Sequence, residues 1–170
     1  MYPSAYEAPE EIRALSGPCG PLAVWMVLKR HGVEVPAEEI IKRCRYTPEE
    51  GCYTVCLAEA LVSFGLRVRF HTQPDDDKQP GELLSYSALE CTYPAVSLVT
   101  LHKLFMQGAC VILFYATSSG AHFSPLAGIR ANKLLLANDA VPHMLISRFR
   151  RRWREPGILR QAIVVFGKEM

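Results

Sequence analysis

The chain has no stretch approaching the ~20 consecutive apolar residues that a membrane span requires. Its opening, MYPSAYEAPEEIRALS, lacks the basic head and apolar run of a secretory signal. Charge of either sign is scarce in excess. The net is only +2, which gives no reason to expect a nucleic-acid partner. Internal repeats and low-complexity segments are missing as well. Without a signal, the six cysteines (Cys19, Cys44, Cys52, Cys56, Cys91 and Cys110) read as reduced thiols of a cytoplasmic protein rather than a disulfide framework. Leaderless export, or delivery into a host, stays open. A zinc site wants four ligands, typically in closely spaced pairs. Cys52 and Cys56 stand four apart with Cys44 eight residues upstream, and no second pair exists. These cysteines are expected to pack a core, and no metal or organic cofactor is expected.

What is present suits one globular domain spanning 1–170, with 1–12 as an N-terminal extension and 73–82 as a surface loop. Apolar residues make up 49% and charged residues 21% of the 170, enough for a real core. Helical periodicity predicts a helix over 18–31, then one over VPAEEIIKRCR with Pro36 at its first position, then one over 51–65 closed by Gly65. LRVRFHT alternates as a strand, and QPDDDKQPGE reads as a polar loop. A helix over 95–107 precedes strands at ACVILFYAT, AHFSPLAGIR and KLLLAND, the last two joined by ANK. A helix over 144–153 and a final strand, QAIVVFG, complete the pattern. Helices first and adjacent strands later argue for α+β. The basic run RFRRRWR (148–154) reads as a solvated helix face, with Phe149 and Trp153 turned inward.

One cysteine stands apart. In GPCGPLAVWMVLKRHG, Cys19 lies between Pro18 and Gly20 at the mouth of the apolar helix, not within its stripe. The first N–H groups of a helix have no partners, and the dipole there favours negative charge, so a thiol is drawn toward thiolate. Nucleophilic catalysis by cysteine needs a histidine and a group that orients it. Of the five histidines, His31 lies at a helix end, His71 ends a strand, His102 sits in a helix, and His143 follows a proline in a loop. His122 instead starts an apolar strand directly after a small-residue turn, and Asp139 follows 17 residues later where LLLAND ends. An antiparallel pair joined at ANK would set imidazole and carboxylate at one edge of the sheet. The alternative is a buried histidine satisfied by backbone, with Asp139 capping the next helix.

CGPLAVWMVLKRHG resembles the nucleophile helix of the double-glycine leader peptidases, papain-like cysteine peptidases that mature bacteriocins. GACVILFYATSSGAHFSPLAGIRANKLLLANDAVPHMLISRFRRRW is similar to the second half of that family, and HFSP also resembles phytochelatin synthase. The resemblance covers roughly 13–167 and is weakest between Gln73 and Cys91. It implies a papain-like fold in which an N-terminal helical half carries the nucleophile helix against a C-terminal antiparallel sheet. It also implies Cys19 as nucleophile, His122 as acid and base, and Asp139 as orienter, acting on a peptide or protein substrate through a thioester.

The family carries a glutamine about six residues before the cysteine, completing an oxyanion hole with the cysteine N–H. Here Arg13 holds that position, and no glutamine precedes Cys19. Arg13 and Ser16 are the substitute candidates beside the Cys19 amide. Three readings follow: a thiol peptidase, a degenerate domain that holds a peptide without cutting it, and a structural protein in which the thiol is incidental. A γ-glutamyl peptide acyltransferase of the phytochelatin-synthase kind is a minor variant of the first. Oligomeric state is not legible.

Overall fold

A computed structural model describes residues 1–169. A 3-10 turn at Ala5–Glu7 and a short helix α1 (Glu10–Arg13) lead into α2 (Cys19–Arg30), α3 (Ala37–Arg43) and α4 (Thr54–Ser63). Strand β1 (Leu66–Thr72), helix α5 (Pro80–Ala88), strand β2 (Thr92–Pro94) and helix α6 (Leu98–Met106) follow. The remainder is β3 (Cys110–Thr117), β4 (Gly120–Arg130), β5 (Lys133–Leu136), β6 (His143–Leu145), α7 (Ile146–Trp153) and β7 (Ala162–Lys168). The seven strands form one sheet in the order β2-β1-β7-β3-β4-β5-β6. All neighbours are antiparallel except β1 and β2, which run parallel.

Both faces of the sheet are covered, which is why β3 and β7 read as continuous apolar runs rather than alternating ones. Successive strand residues point to opposite faces. Cys110, Ile112, Ile163 and Val165 join the core built by α1–α4. Val111, Leu113, Tyr115 and Val164 join the core under α6 and α7. Helix α2 is apolar nearly all round, with every residue from Gly20 to Leu28 buried, as a helix sandwiched between a sheet and other helices must be. In α7, Phe149 and Trp153 are buried while Arg148, Arg150 and Arg151 face solvent. No helix of the described residues is long and apolar enough to cross a membrane.

Several expectations need correction. The twelve residues at the N-terminus do not stand off from the fold, since Ala8 and Ile12 are buried in the first core and Tyr2 packs against it. Pro36 is not inside α3 but precedes it, with extended backbone at the cap position. The polar loop ends earlier than 82. Helix α5 begins at Pro80, because proline suits the first helical turn and Gln79 and Glu82 form a reciprocal capping box. Strands β2 and β6, three residues each, were not expected, and β6 takes residues 143–145 that a helix from 144 would have claimed.

Candidate active site

Cys19 is the first residue of α2, preceded by Pro18, with no side chain capping the helix start. Its own amide therefore has no acceptor within the helix. Gly20 explains how the thiol comes to lie at a crowded junction. A β-carbon there would sit 3.0 Å from both Cβ and Sγ of Cys52, so only glycine lets the segment leading into α4 pass this close to α2.

The β3–β4 hairpin places His122 opposite Tyr115. The short turn at Ala131 and Asn132 then brings β5 back along β4, and Asp139 follows just beyond the end of β5 in a loop, not within the strand. His122 Nε2 lies 3.0 Å from Asp139 Oδ1 and 3.1 Å from the Asn138 carbonyl oxygen. With that nitrogen engaged, the other ring nitrogen is left for the thiol. Asp139 therefore does not cap the helix that follows; it holds the imidazole.

The charges favour an ion pair. Burial pushes the Cys19 thiol up, but the His122 ring, the Phe123 backbone and the Gly20 backbone together bring it below its ordinary value. Burial alone would lower His122, yet Asp139 and Cys19 carry it up to about 10. Burial raises Asp139, but hydrogen bonds from His122, Tyr115 and Ser124 and the His122 charge together bring it below its ordinary value. Cys44, Cys52, Cys56 and Cys110 all shift the other way, raised by burial. Of these five thiols, Cys19 alone is drawn toward the thiolate.

Three supporting residues escaped the sequence reading. Tyr115, fully buried, donates its hydroxyl to the Asp139 carboxylate, 2.7 Å from each oxygen, and meets the His122 ring edge-on. Asn138 donates its amide to the carbonyls of Phe123 (3.1 Å) and Cys19 (3.3 Å). Ser124, also fully buried, accepts the Asn138 N–H at 2.8 Å. Asn138 was in view as part of LLLAND; Tyr115 had no signal, because only the strand register sets it behind the ring.

The candidate oxyanion donors separate. Arg13 turns its Nε to the Ala8 carbonyl at 2.8 Å and does not line the cavity beside Cys19. Ser16 does line it, together with Gly17, Cys52, Tyr53, Phe114 and Phe123, around a volume of about 820 Å³. Two glutamines reach the same cavity, but Gln79 caps α5 and Gln161 donates to Thr72 at 3.2 Å. The other histidines serve elsewhere. His71 is bonded to the Pro94 carbonyl, His31 to Cys110, His102 stacks on Phe105, and His143 is exposed on β6. No cluster of three or more metal-ligating side chains occurs among the described residues.

With this geometry in place, three solved structures are similar to the chain over most of its length. The peptidase domain of Streptococcus ComA, a bifunctional ABC transporter of a quorum-sensing pathway, matches with TM-score 0.55 and 17% identity, covering 88% of this chain and 91% of that one. A double-glycine-motif protease from an AMS/PCAT transporter, solved with its leader peptide, matches at 0.54 and 18%, covering 89% and 84%. A C39-like peptidase from Bacillus anthracis matches at 0.63 and 14%, covering 91% and 90%. The fold is papain-like. The helical half and the covered sheet, antiparallel but for its β1–β2 edge, correspond to what the resemblance of CGPLAVWMVLKRHG implied. No family model and no curated protein sequence matches the chain.

Proposed function

We propose that the protein is a papain-like thiol hydrolase that cleaves a peptide or amide bond, with Cys19, His122 and Asp139 as its triad. The observation that carries this reading is the contrast between Cys19, lowered beside a histidine held by a carboxylate, and Cys44, Cys52, Cys56 and Cys110, all raised by burial. The thiolate attacks the carbonyl carbon, and the pair returning from the tetrahedral oxyanion expels the amine. His122 gives that amine its proton. Water, deprotonated by the same ring, then releases the thioester as acid. The Cys19 N–H supplies one oxyanion donor and Ser16 is the available second. A missing donor costs on the order of 10²–10³ in rate, so slow turnover is expected. The substrate is a peptide, by analogy with the neighbour solved with a leader peptide.

The engagement of Arg13 with Ala8 supports a second reading, in which the cleft holds a peptide without cutting it. Alkylation by iodoacetamide at pH ~6 tests the first requirement. Cys19 is expected to react far ahead of the other cysteines and to lose that lead in His122→Ala. Uniformly slow labelling, rising only near ~8.5, overturns the triad. An electrophilic peptide library then separates cutting from holding, since tight binding without a covalent adduct supports the second reading.

A further inference from the structure

The cavity that contains Cys19 is lined by five carboxylates, from Glu50, Asp75, Asp76, Asp77 and Glu82, and by no lysine or arginine. This is a marked segregation for a chain whose net charge is +2. The acids form one wall. Asp75–Asp77 belong to the segment after β1, where the Asp77 N–H is bonded to Asp75 Oδ1 at 3.0 Å, and Glu82 lies in the first turn of α5. The Cys19 side of the cavity is apolar, with Phe114, Ala121 and Phe123.

Two buried polar groups line this cavity, one held by a helix cap and one without a partner. Glu82 is only 6% exposed; one oxygen accepts the Gln79 N–H at 2.7 Å, and the carboxylate makes no ion pair. Burial raises its pKa, and the neighbouring Asp75 and Asp77 add to the rise, against the Gln79 N–H and Lys78, which lower it. Thr54, 2% exposed, lines the same cavity with a hydroxyl that has no hydrogen-bond partner. Buried polar groups of this kind are ordinarily satisfied.

Opposing charges are few. The starts of α2 and α4 open on the cavity without side-chain caps, each equivalent to about half a positive charge that fades within one turn. The His122 imidazolium beside Cys19 is one cation, and Lys78 near the acidic segment is another. The Lys78 Nζ donates to the Asp75 carbonyl at 2.9 Å and lies 4.8 Å over the Tyr86 ring, beside a neighbouring hollow. Five carboxylates outweigh two half-charges and one displaced lysine, while the His122 imidazolium is offset by the Cys19 thiolate and Asp139. The cavity is therefore negative except at the helix mouth, where the thiolate sits.

We propose that this cleft selects peptides bearing lysine or arginine side chains, which the wall of Glu50, Asp75–Asp77 and Glu82 binds while the backbone lies across Cys19. The proposal rests on Cys19 being the reactive thiol. A guanidinium or ammonium placed among these carboxylates gains charge-assisted hydrogen bonds that no lysine or arginine of the cavity supplies.

The test measures cleft potential without requiring catalysis. Cys19 is modified with methanethiosulfonates carrying a trimethylammonium, no charge, or a sulfonate. The thiolate attacks the sulfenyl sulfur and methanesulfinate leaves. Each rate is divided by that reagent's rate with free cysteine. At low salt the cationic reagent is expected to exceed the anionic one by about tenfold or more. The ratio should shrink with added salt and in the triple variant D75N/D76N/D77N, with Glu50→Gln as a second variant should the triple fail to fold. Equal corrected rates, or a faster anionic reagent, overturn the proposal. Protection of Cys19 by acetyl-Lys-Ala-Lys-Ala-Gly-glycinal is then compared with protection by its Glu-for-Lys counterpart. At least tenfold tighter protection by the lysine peptide supports selection, and equal protection overturns it. A Cys19 that is unreactive toward all three reagents defeats the hydrolase reading instead.

Discussion

Asn138 donates its side-chain amide to the carbonyl of Cys19, 119 residues earlier, at 3.3 Å, and to that of Phe123 at 3.1 Å. One side chain thereby ties the nucleophile helix to the strand that carries the histidine. Its own carbonyl, meanwhile, sits 3.1 Å from the ring of that histidine. The meeting of sulfur and imidazole is held from both sides.

Asn138→Ala is expected to release two part-buried carbonyls and cost about 1–3 kcal/mol. Urea unfolding reads the loss. Cys19 alkylation at pH ~6 should slow in the same variant, because the thiol and ring lose their common tether. Undiminished labelling would make Asn138 a purely architectural residue.

The pH profile follows from the two shifts. Cys19 is lowered, so the thiolate forms below the ordinary thiol range; His122 is raised to about 10, so the ring keeps its proton until then. Turnover should rise through the lowered thiol pKa, stay level, and fall as pH passes about 10, where the acid for the leaving amine is lost. Stopped assays across pH 4–11 check this, and a fall near neutrality contradicts it.

Asp139→Asn removes the carboxylate that Tyr115 and His122 share. The ring can then turn or take the wrong tautomer, and kcat should drop on the order of 10²–10⁴-fold with the fold intact. The stability consequence has a definite sign. Asp139 is lowered in the folded protein, so its contribution is present above the unfolded carboxylate value of ~3.9 and is lost as pH falls. The wild-type excess over the variant in chemical denaturation should therefore vanish in acid.

Tyr115→Phe deletes the hydroxyl while keeping the ring that packs against Phe149 and His122. A charge-assisted hydrogen bond is worth about 1.5–3 kcal/mol, and the Asp139 carboxyl should titrate higher without it. NMR titration of the His122 ring reports the change directly, since a less firmly ionised partner holds the imidazolium less well. A ring titration identical to wild type would show that Tyr115 merely fills space.

Much of this site was legible because its signals are local. Cys19 at a helix mouth, the small-residue turn before His122 and the short ANK connection each declare themselves within a few residues. Phe149 and Trp153, four apart, showed the buried face of α7 for the same reason. Tyr115 stayed hidden because its role exists only through cross-strand register, and Ser124 likewise. Helix α5 stayed hidden because Pro80 and Gly81 read as breakers. Their meaning as a helix start depends on Gln79 and Glu82 capping each other. The acidic run was visible as a polar loop, but nothing along the chain says that it returns to face Cys19.

Strand β7 comes last among the described strands yet lies between β1 and β3. A ribosome therefore extrudes the two flanks of the sheet before the piece that joins them, and about a hundred residues separate β1 from its partner. Contacts this distant close slowly. Until residues 162–168 emerge, the backbone edges of β1 and β3 that pair with β7 are bare, so the growing chain is open to aggregation until that strand inserts.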